Sequence, residues 1–379
     1  MPRERRVRIH AAVILVAVCA FADSRLISAE NGWSPAKTWV FAVGLLEWKD
    51  SADLASFPKK GRRDSMLVSF FKERGVPTEH IRLLQDSAAT TAAVRGAFKK
   101  ILPLSGPGDT LFVYYCGHGY DQDGTTYFAT YDAGNTAWAV PDIFDSIESH
   151  YNGSQVVLMA DCCHSGALAD VAKKRQTKIE YACLSSVLAS ETSTACWTFS
   201  DSLLDVLEGA PQADLNRDGV VTLGEAAQYI KGEMAFFDEQ TATSFISRGL
   251  SPEWRVSISE NQKSNNRVGE HVEIFQNAGL RRAQIEDFKD GKFQVRFAST
   301  AEREEAWVPE SSIRTMKTEP KTPTAVLVVG EAVRVEWKKR WWPAKILKVN
   351  ENEKQYFIAY DGYGEEWNEW VGPKRIRNR

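Results

Sequence analysis

The sequence predicts an α/β domain with a mostly parallel sheet, followed by two small β-barrels. Three observations lead there. Between Thr38 and Ser259, near-continuous apolar runs of the kind that suit buried parallel strands alternate with amphipathic stretches. After about Glu260 the alternation stops and short β-rich segments take over. In that second region one phrase occurs twice, as Val268-Gly269-Glu270-His271-Val272 and as Val329-Gly330-Glu331-Ala332-Val333.

The strand candidates of the first region are Val40–Leu46, His80–Gln85, Thr110–Cys116, Thr126–Tyr131, Gln155–Ala160 and Tyr181–Ala189. Ser65–Arg74, Thr91–Ile101 and Pro141–Tyr151 are the amphipathic stretches between them. Strands alternating with helices imply a layered α/β domain. It is expected over residues 34–260, and residues 261–266 read as a polar linker. The repeats are expected at 266–316 and 328–379, joined by Lys317–Thr324, which holds Pro320 and Pro323. The echo continues from Ala306-Trp307-Val308 to Glu369-Trp370-Val371, and from Ser312-Ile313-Arg314 to Arg375-Ile376-Arg377. Several short strands in so small a unit predict a β-barrel.

Composition narrows the function. Hydrophobic residues make up 43% of the chain and charged residues 26%, which excludes broad disorder. Lys and Arg total 47 against 50 Asp and Glu, a net charge of −3, so no global basic field is present and no nucleic-acid partner is expected. At the N-terminus Arg3, Arg5, Arg6, Arg8 and His10 precede an apolar run, Ala11–Ala22, too short for a comfortable membrane span. Ala20-Phe21-Ala22 has the small-x-small form of a cleavage site, and a second cut fits after Ala29. Residues 1–29 therefore read as a secretory signal, with the mature chain secreted or periplasmic and free of membrane; an uncleaved anchor is the alternative. Of 6 cysteines, Cys19 leaves with that signal. An odd number remains, so at least one thiol stays free, and catalysis would explain it.

Two motifs carry chemistry. Tyr114-Tyr115-Cys116-Gly117-His118-Gly119 and Asp161-Cys162-Cys163-His164-Ser165-Gly166 each end an apolar strand. In a parallel sheet both ends lie on the carboxyl edge, where active sites form. A His and a Cys brought together there can share a proton, and a nearby imidazole favours the nucleophilic thiolate. The N–H groups of Gly119 and Cys163 are candidate oxyanion donors. Such thiol chemistry requires no cofactor. Core packing of both cysteines is the structural alternative.

These two blocks resemble the caspase-like clan of cysteine peptidases, especially its metacaspase branch, with Cys116 and Cys162 standing where Ser is usual. The resemblance runs from about Thr38 to Ile258 and includes Leu188-Ala189-Ser190-Glu191-Thr192-Ser193. It implies a three-layer caspase-like sandwich and an endopeptidase acting on protein or peptide substrates. It makes Cys163 the nucleophile and His118 the base. His164 is too near in sequence to serve. It also places Asp161 in the first specificity pocket, where a carboxylate would select Arg or Lys. A bracing role for Asp161 is the alternative. The other function class is a catalytically silent scaffold acting through its barrels, and the intact His118/Cys163 pair favours the enzyme.

Residues 214–225 fit the twelve-residue calcium loop. Asp214, Asn216, Asp218, Thr222 and Glu225 offer side-chain oxygens, Val220 a carbonyl, and Gly219 sits at the turn. A polar turn capping the helix Leu223–Met234, with Thr222 as N-cap and Glu225 at N3, fits equally, and the two are compatible. The basic run Lys173-Lys174-Arg175 is either a self-processing site or a solvated loop.

The second repeat is rich in aromatics and resembles a chromo-barrel, or Tudor-knot, module. That resemblance implies a cage for a methyl-lysine-like or other ligand at Trp342, Tyr360, Tyr363 and Trp367, through cation–π attraction. Trp370 reads as core. In the first repeat Arg281 stands at Trp342, Phe297 at Tyr360 and Glu304 at Trp367, so its cage is expected to be absent.

Overall fold

The computed structural model describes residues 31–50, 54–133, 137–194, 196–259, 267–276, 279–298, 304–315, 329–337, 340–350, 355–360, 364, 367–372 and 375–378. The expected signal segment, the linker 261–266, the junction 317–324 and Tyr363 lie outside the described residues.

The first region is a mixed α/β domain on a six-stranded sheet. Its strands are β1 (Thr38–Gly44), β2 (Ile81–Gln85), β3 (Thr110–Cys116), β4 (Gln155–Asp161), β5 (Glu180–Ser185) and β6 (Thr243–Ile246), in the order β6-β5-β4-β3-β1-β2. All pairings are parallel except β6 with β5. Both faces are covered, which is why these strands read as continuous apolar runs. Alternate residues of β1 show the division. Phe41 and Val43 pack in one core with Val94 and Phe98 of α2 (Thr91–Ile101) and Ile143 and Phe144 of α3 (Val140–His150). Val40 and Ala42 pack in the other with Leu67 and Phe71 of α1 (Arg63–Glu73), Phe199 and Leu203 of α5 (Thr198–Glu208), and Ile230 and Met234 of α6 (Leu223–Phe237). The short α4 (Ala167–Ala172) joins the first core through Leu168.

Two strand expectations shift. Thr125–Phe128 is a strand, but it pairs with Gly119–Gln122 and Trp138–Ala139 in a separate antiparallel sheet. The hairpin turns at Asp123 and Gly124, whose φ values of 52° and 76° match the left-handed turn an Asp-Gly pair favours. The run from Tyr181 ends as a strand at Ser185, and the remainder crosses back toward the end of β4.

Each repeat forms a five-stranded antiparallel, barrel-like sheet. The first comprises His271–Gln276, Gly279–Lys289, Lys292–Phe297, Glu305–Pro309 and Ile313–Thr315; the second comprises Ala332–Trp337, Arg340–Asn350, Gln355–Tyr360, Glu369–Val371 and Ile376–Asn378. Both have the strand order 4-3-2-1-5. Their registers correspond as well: Ala283 faces Phe297 in one and Ala344 faces Tyr360 in the other, with a shift after Ile285 and after Ile346. The first barrel is part of the compact unit ending at Thr315, and Met316–Arg379 form a second unit. Trp370 corrects the sequence reading. It is 44% exposed and lies 5.2 Å from Phe357, whereas its neighbour Val371 fills the core. Strand alternation permits only one of the two to face inward.

Candidate active site

His118 and Cys163 each stand two residues beyond paired strands, because Cys116 of β3 faces Asp161 of β4. The two turns touch. A Cβ built on Gly119 would lie 2.1 Å from the Cys163 carbonyl oxygen and 3.0 Å from Cys162 Sγ, so glycine is required there. Gly117, at φ 148°, makes the bend that carries His118 off the strand.

The imidazole is held on three sides. Trp48 and Phe57 pack against it at ring-centre distances of 4.6 and 4.8 Å. Its Nε2 donates to the backbone carbonyl of Ala55 at 2.8 Å. That bond fixes the tautomer and leaves Nδ1 as the basic nitrogen. Sequence reasoning missed Ala55, since a main-chain carbonyl carries no residue-type signal.

The five described cysteines are all free thiols. Burial pushes the Cys116, Cys162 and Cys183 thiols up, which holds them in the unreactive protonated form. Cys162 turns into the core beneath the sheet, and Cys163 is half-exposed. Its Sγ accepts the Ser193 N–H at 3.2 Å, and its own N–H has no partner among the described residues. Ser193 Oγ and the indole N–H of Trp48 are shielded from solvent without partners among the described residues, so polar groups border the pair. His164, at φ 59°, turns away to the Ala189 carbonyl at 2.8 Å.

Asp161, the last residue of β4, is 4% exposed. Its Oδ2 accepts the backbone N–H and the hydroxyl of Ser200, in the first turn of α5, at 3.2 and 2.6 Å. Burial, then the nearby carboxylates of Asp238 and Asp201, push its pKa up to about 7 against the Ser200 bonds. The neighbouring acids differ in their partners. Asp64 pairs with Arg62 at 2.8 Å and Asp201 with Arg63 at 3.0 Å. Among the described residues neither Asp161 nor Asp238 is in a salt bridge, although the charge of Arg296 acts on Asp238 from a distance. Arg175 of the basic run is tied to Asp145 at 2.6 Å, whereas Lys173 and Lys174 are exposed.

Comparison with known proteins now bears on this arrangement. The chain is 32% identical over 122 residues to "Metacaspase III c" of Phaeodactylum tricornutum, covering 28% of this chain and 36% of that one. It is 30% identical over 114 residues to "Metacaspase-7" of Arabidopsis thaliana, covering 27% and 28%. "Metacaspase-6" of the same plant is 27% identical over 123 residues, covering 29% and 33%. The chain thus spans about a third of the length of the curated relatives it matches. The Agenet domain family matches residues 333–379. The chain is metacaspase-like, with a Tudor-like module at its C-terminus.

In this metacaspase-like chain the two barrels treat the aligned cage positions differently. In the first, Arg281 makes a two-pronged ion pair with Glu304 at 2.7 and 2.8 Å, and its guanidinium lies 4.0 Å over the Phe297 ring. The barrel's own guanidinium therefore occupies the face of that ring. In the Tudor-like second barrel, Tyr360 lines the core with its hydroxyl donating to Glu369 at 2.8 Å. Trp342 packs against that core, and Trp367 is 47% exposed.

The 214–225 turn satisfies itself. Asp214 accepts the N–H groups of Asp218 and Gly219, Asn216 accepts that of Asp218, and Asp218 accepts that of Val220. Glu225 accepts from Asn216 N and from Thr222 N and Oγ1, which completes a reciprocal capping box on α6. Among the described residues no three His, Cys, Asp or Glu side chains converge as a metal set. The turn as folded is a helix cap.

Proposed function

We propose that this chain is a cysteine endopeptidase cutting after Arg or Lys, with Cys163 as nucleophile and His118 as base. One observation carries the reading: a half-exposed thiol and an imidazole with a fixed tautomer stand at the ends of adjacent parallel strands. His118 Nδ1 takes the thiol proton, and the thiolate sulfur bonds to the scissile carbonyl carbon. The carbonyl oxygen becomes an oxyanion, met by the N–H groups of Cys163 and Gly119. The imidazolium then gives its proton to the departing amine as the C–N bond breaks. His118 next takes a proton from water, whose oxygen attacks the thioester; the acid leaves, and the expelled Cys163 thiolate recovers the proton from His118.

Specificity follows from charge. A buried carboxylate without a cation gains most from a guanidinium or ammonium brought by substrate. Asp161 is such a carboxylate beside the dyad, and its unbonded Oδ1 is the atom left for a substrate cation. The proposed ligand of the second barrel is a methylated-lysine-like cation, supported by Trp367, an aromatic face left 47% exposed.

The test is hydrolysis of fluorogenic peptides ending in Arg, Lys or Asp by the full chain and by Cys163→Ala and Cys162→Ala. Cleavage after Arg and Lys, lost only in Cys163→Ala, supports the proposal. Loss in Cys162→Ala alone would reassign the nucleophile. No cleavage by folded wild-type protein would favour a silent scaffold.

A further inference from the structure

The loop that follows β5 is held at both sides. On one side it is bonded to the nucleophile turn. Ser193 N–H donates to Cys163 Sγ, His164 N–H donates to the Glu191 carbonyl at 2.9 Å, and His164 Nδ1 bonds the Ala189 carbonyl. On the other side it is bonded to the end of α6. Thr194 and Thr198 hydroxyls donate to the two oxygens of Asp238, each at 3.0 Å. Gln240 accepts the Thr194 N–H at 3.4 Å and donates to the Thr192 carbonyl at 2.8 Å. Asp238 and Gln240 are themselves anchored, since both their N–H groups reach the Met234 carbonyl at 3.1 Å.

The first barrel grips that same end of α6. His271 stacks flat on Phe236 at 3.9 Å, and its Nε2 bonds Glu233 at 2.8 Å. Arg296 reaches Glu233 at 2.8 Å and lies 4.5 Å over the Phe237 ring. Gln284 donates to Glu233 at 2.9 Å. Arg282 donates to the Phe236 carbonyl at 3.4 Å and to Glu239 at 3.2 Å. Glu233 and Arg296 are 1% and 4% exposed, so the charge pair at the centre of this contact is dry. Such a contact is costly to break by halves and therefore rigid.

We propose that Asp238 and Gln240 are positioning residues for the Cys163 loop, and that the first barrel sets their place by docking on α6. The barrel is then a brace of the catalytic centre. This rests on the peptidase reading for its catalytic part, so the experiment includes a readout independent of catalysis.

Three full-length variants are compared with wild type by amide hydrogen exchange and by steady-state kinetics on an Arg-terminated fluorogenic peptide. His271→Ala/Arg282→Ala loosens the outer part of the dock and keeps Arg296–Glu233. Gln240→Ala removes the bonds to Thr192 and Thr194 and leaves those of Asp238. Arg281→Ala, whose partners are Glu304 and Phe297, controls for damage to the barrel alone. The first two are expected to exchange about tenfold faster over residues 189–198, with β3 amides unchanged, and to lose about tenfold in kcat with KM within about twofold. Faster exchange confined to the barrel in His271→Ala/Arg282→Ala would overturn the coupling. So would equal release of the loop in Arg281→Ala. Should wild type cleave no peptide, the exchange comparison still decides the brace, and only the peptidase reading falls.

Discussion

Asp161→Asn is the sharpest perturbation the site offers, because stability and function should move in opposite directions. Burial and the charges of Asp238 and Asp201 raise the Asp161 pKa from 3.8 to about 7. Three units at about 1.36 kcal/mol each amount to roughly 4 kcal/mol. The folded pKa is raised, so the folded protein holds this proton more tightly than the unfolded chain does. The contribution to stability is fully present below about pH 4 and is lost as pH rises from there through about 7. Asparagine has no such titration and can still accept from Ser200 N and Oγ. Relative to wild type, Asp161→Asn should gain stability progressively between about pH 4 and 7, up to roughly 4 kcal/mol. At about 2–4 °C per kcal/mol, that is a melting temperature higher by on the order of 10 °C at pH 8. The assay is thermal unfolding of both proteins from pH 4 to 8.5, read as the difference curve, with Arg- and Lys-peptide hydrolysis measured alongside. A flat difference would refute the argument from an unpaired buried carboxylate. A stabilised variant that still cleaves after Arg would refute its role in specificity.

Other outcomes can be checked alongside the nucleophile and brace variants described above. Calcium binding at 214–225 would draw Glu225 off the Asn216 and Thr222 donors; titrated calcium should then raise the melting temperature of wild type and not of Asp218→Ala, and identical curves would leave the turn a helix cap. Trp367→Ala, at an exposed position, should weaken binding of a trimethyl-lysine peptide by at least about fivefold in fluorescence anisotropy with unchanged melting temperature; equal affinities would place the ligand elsewhere.

The parts of this architecture legible in the sequence are those whose signal is local. The blocks at His118 and Cys163 end apolar runs, and the strands end where those runs do. Aligning the repeats by residue set Arg281, Phe297 and Glu304 at corresponding positions, and the structure adds that they pair with one another. Helix α5 was not legible, because Thr198–Leu207 are all buried and neither polar face nor period survives. The Ala55 carbonyl and the α6 dock escaped for a different reason. One is a main-chain atom, and in the other Glu233 meets Arg296 across 63 residues with no motif linking them.

The arginine seated on Phe297 also bears on valence. Two tandem modules of the same strand order suggest a bivalent reader, whose second binding event would be strengthened by tethering. Because Arg281 already stands over the Phe297 ring of the first module, the pair would take one cationic guest per chain. Any avidity would then have to come from several chains gathered on one target.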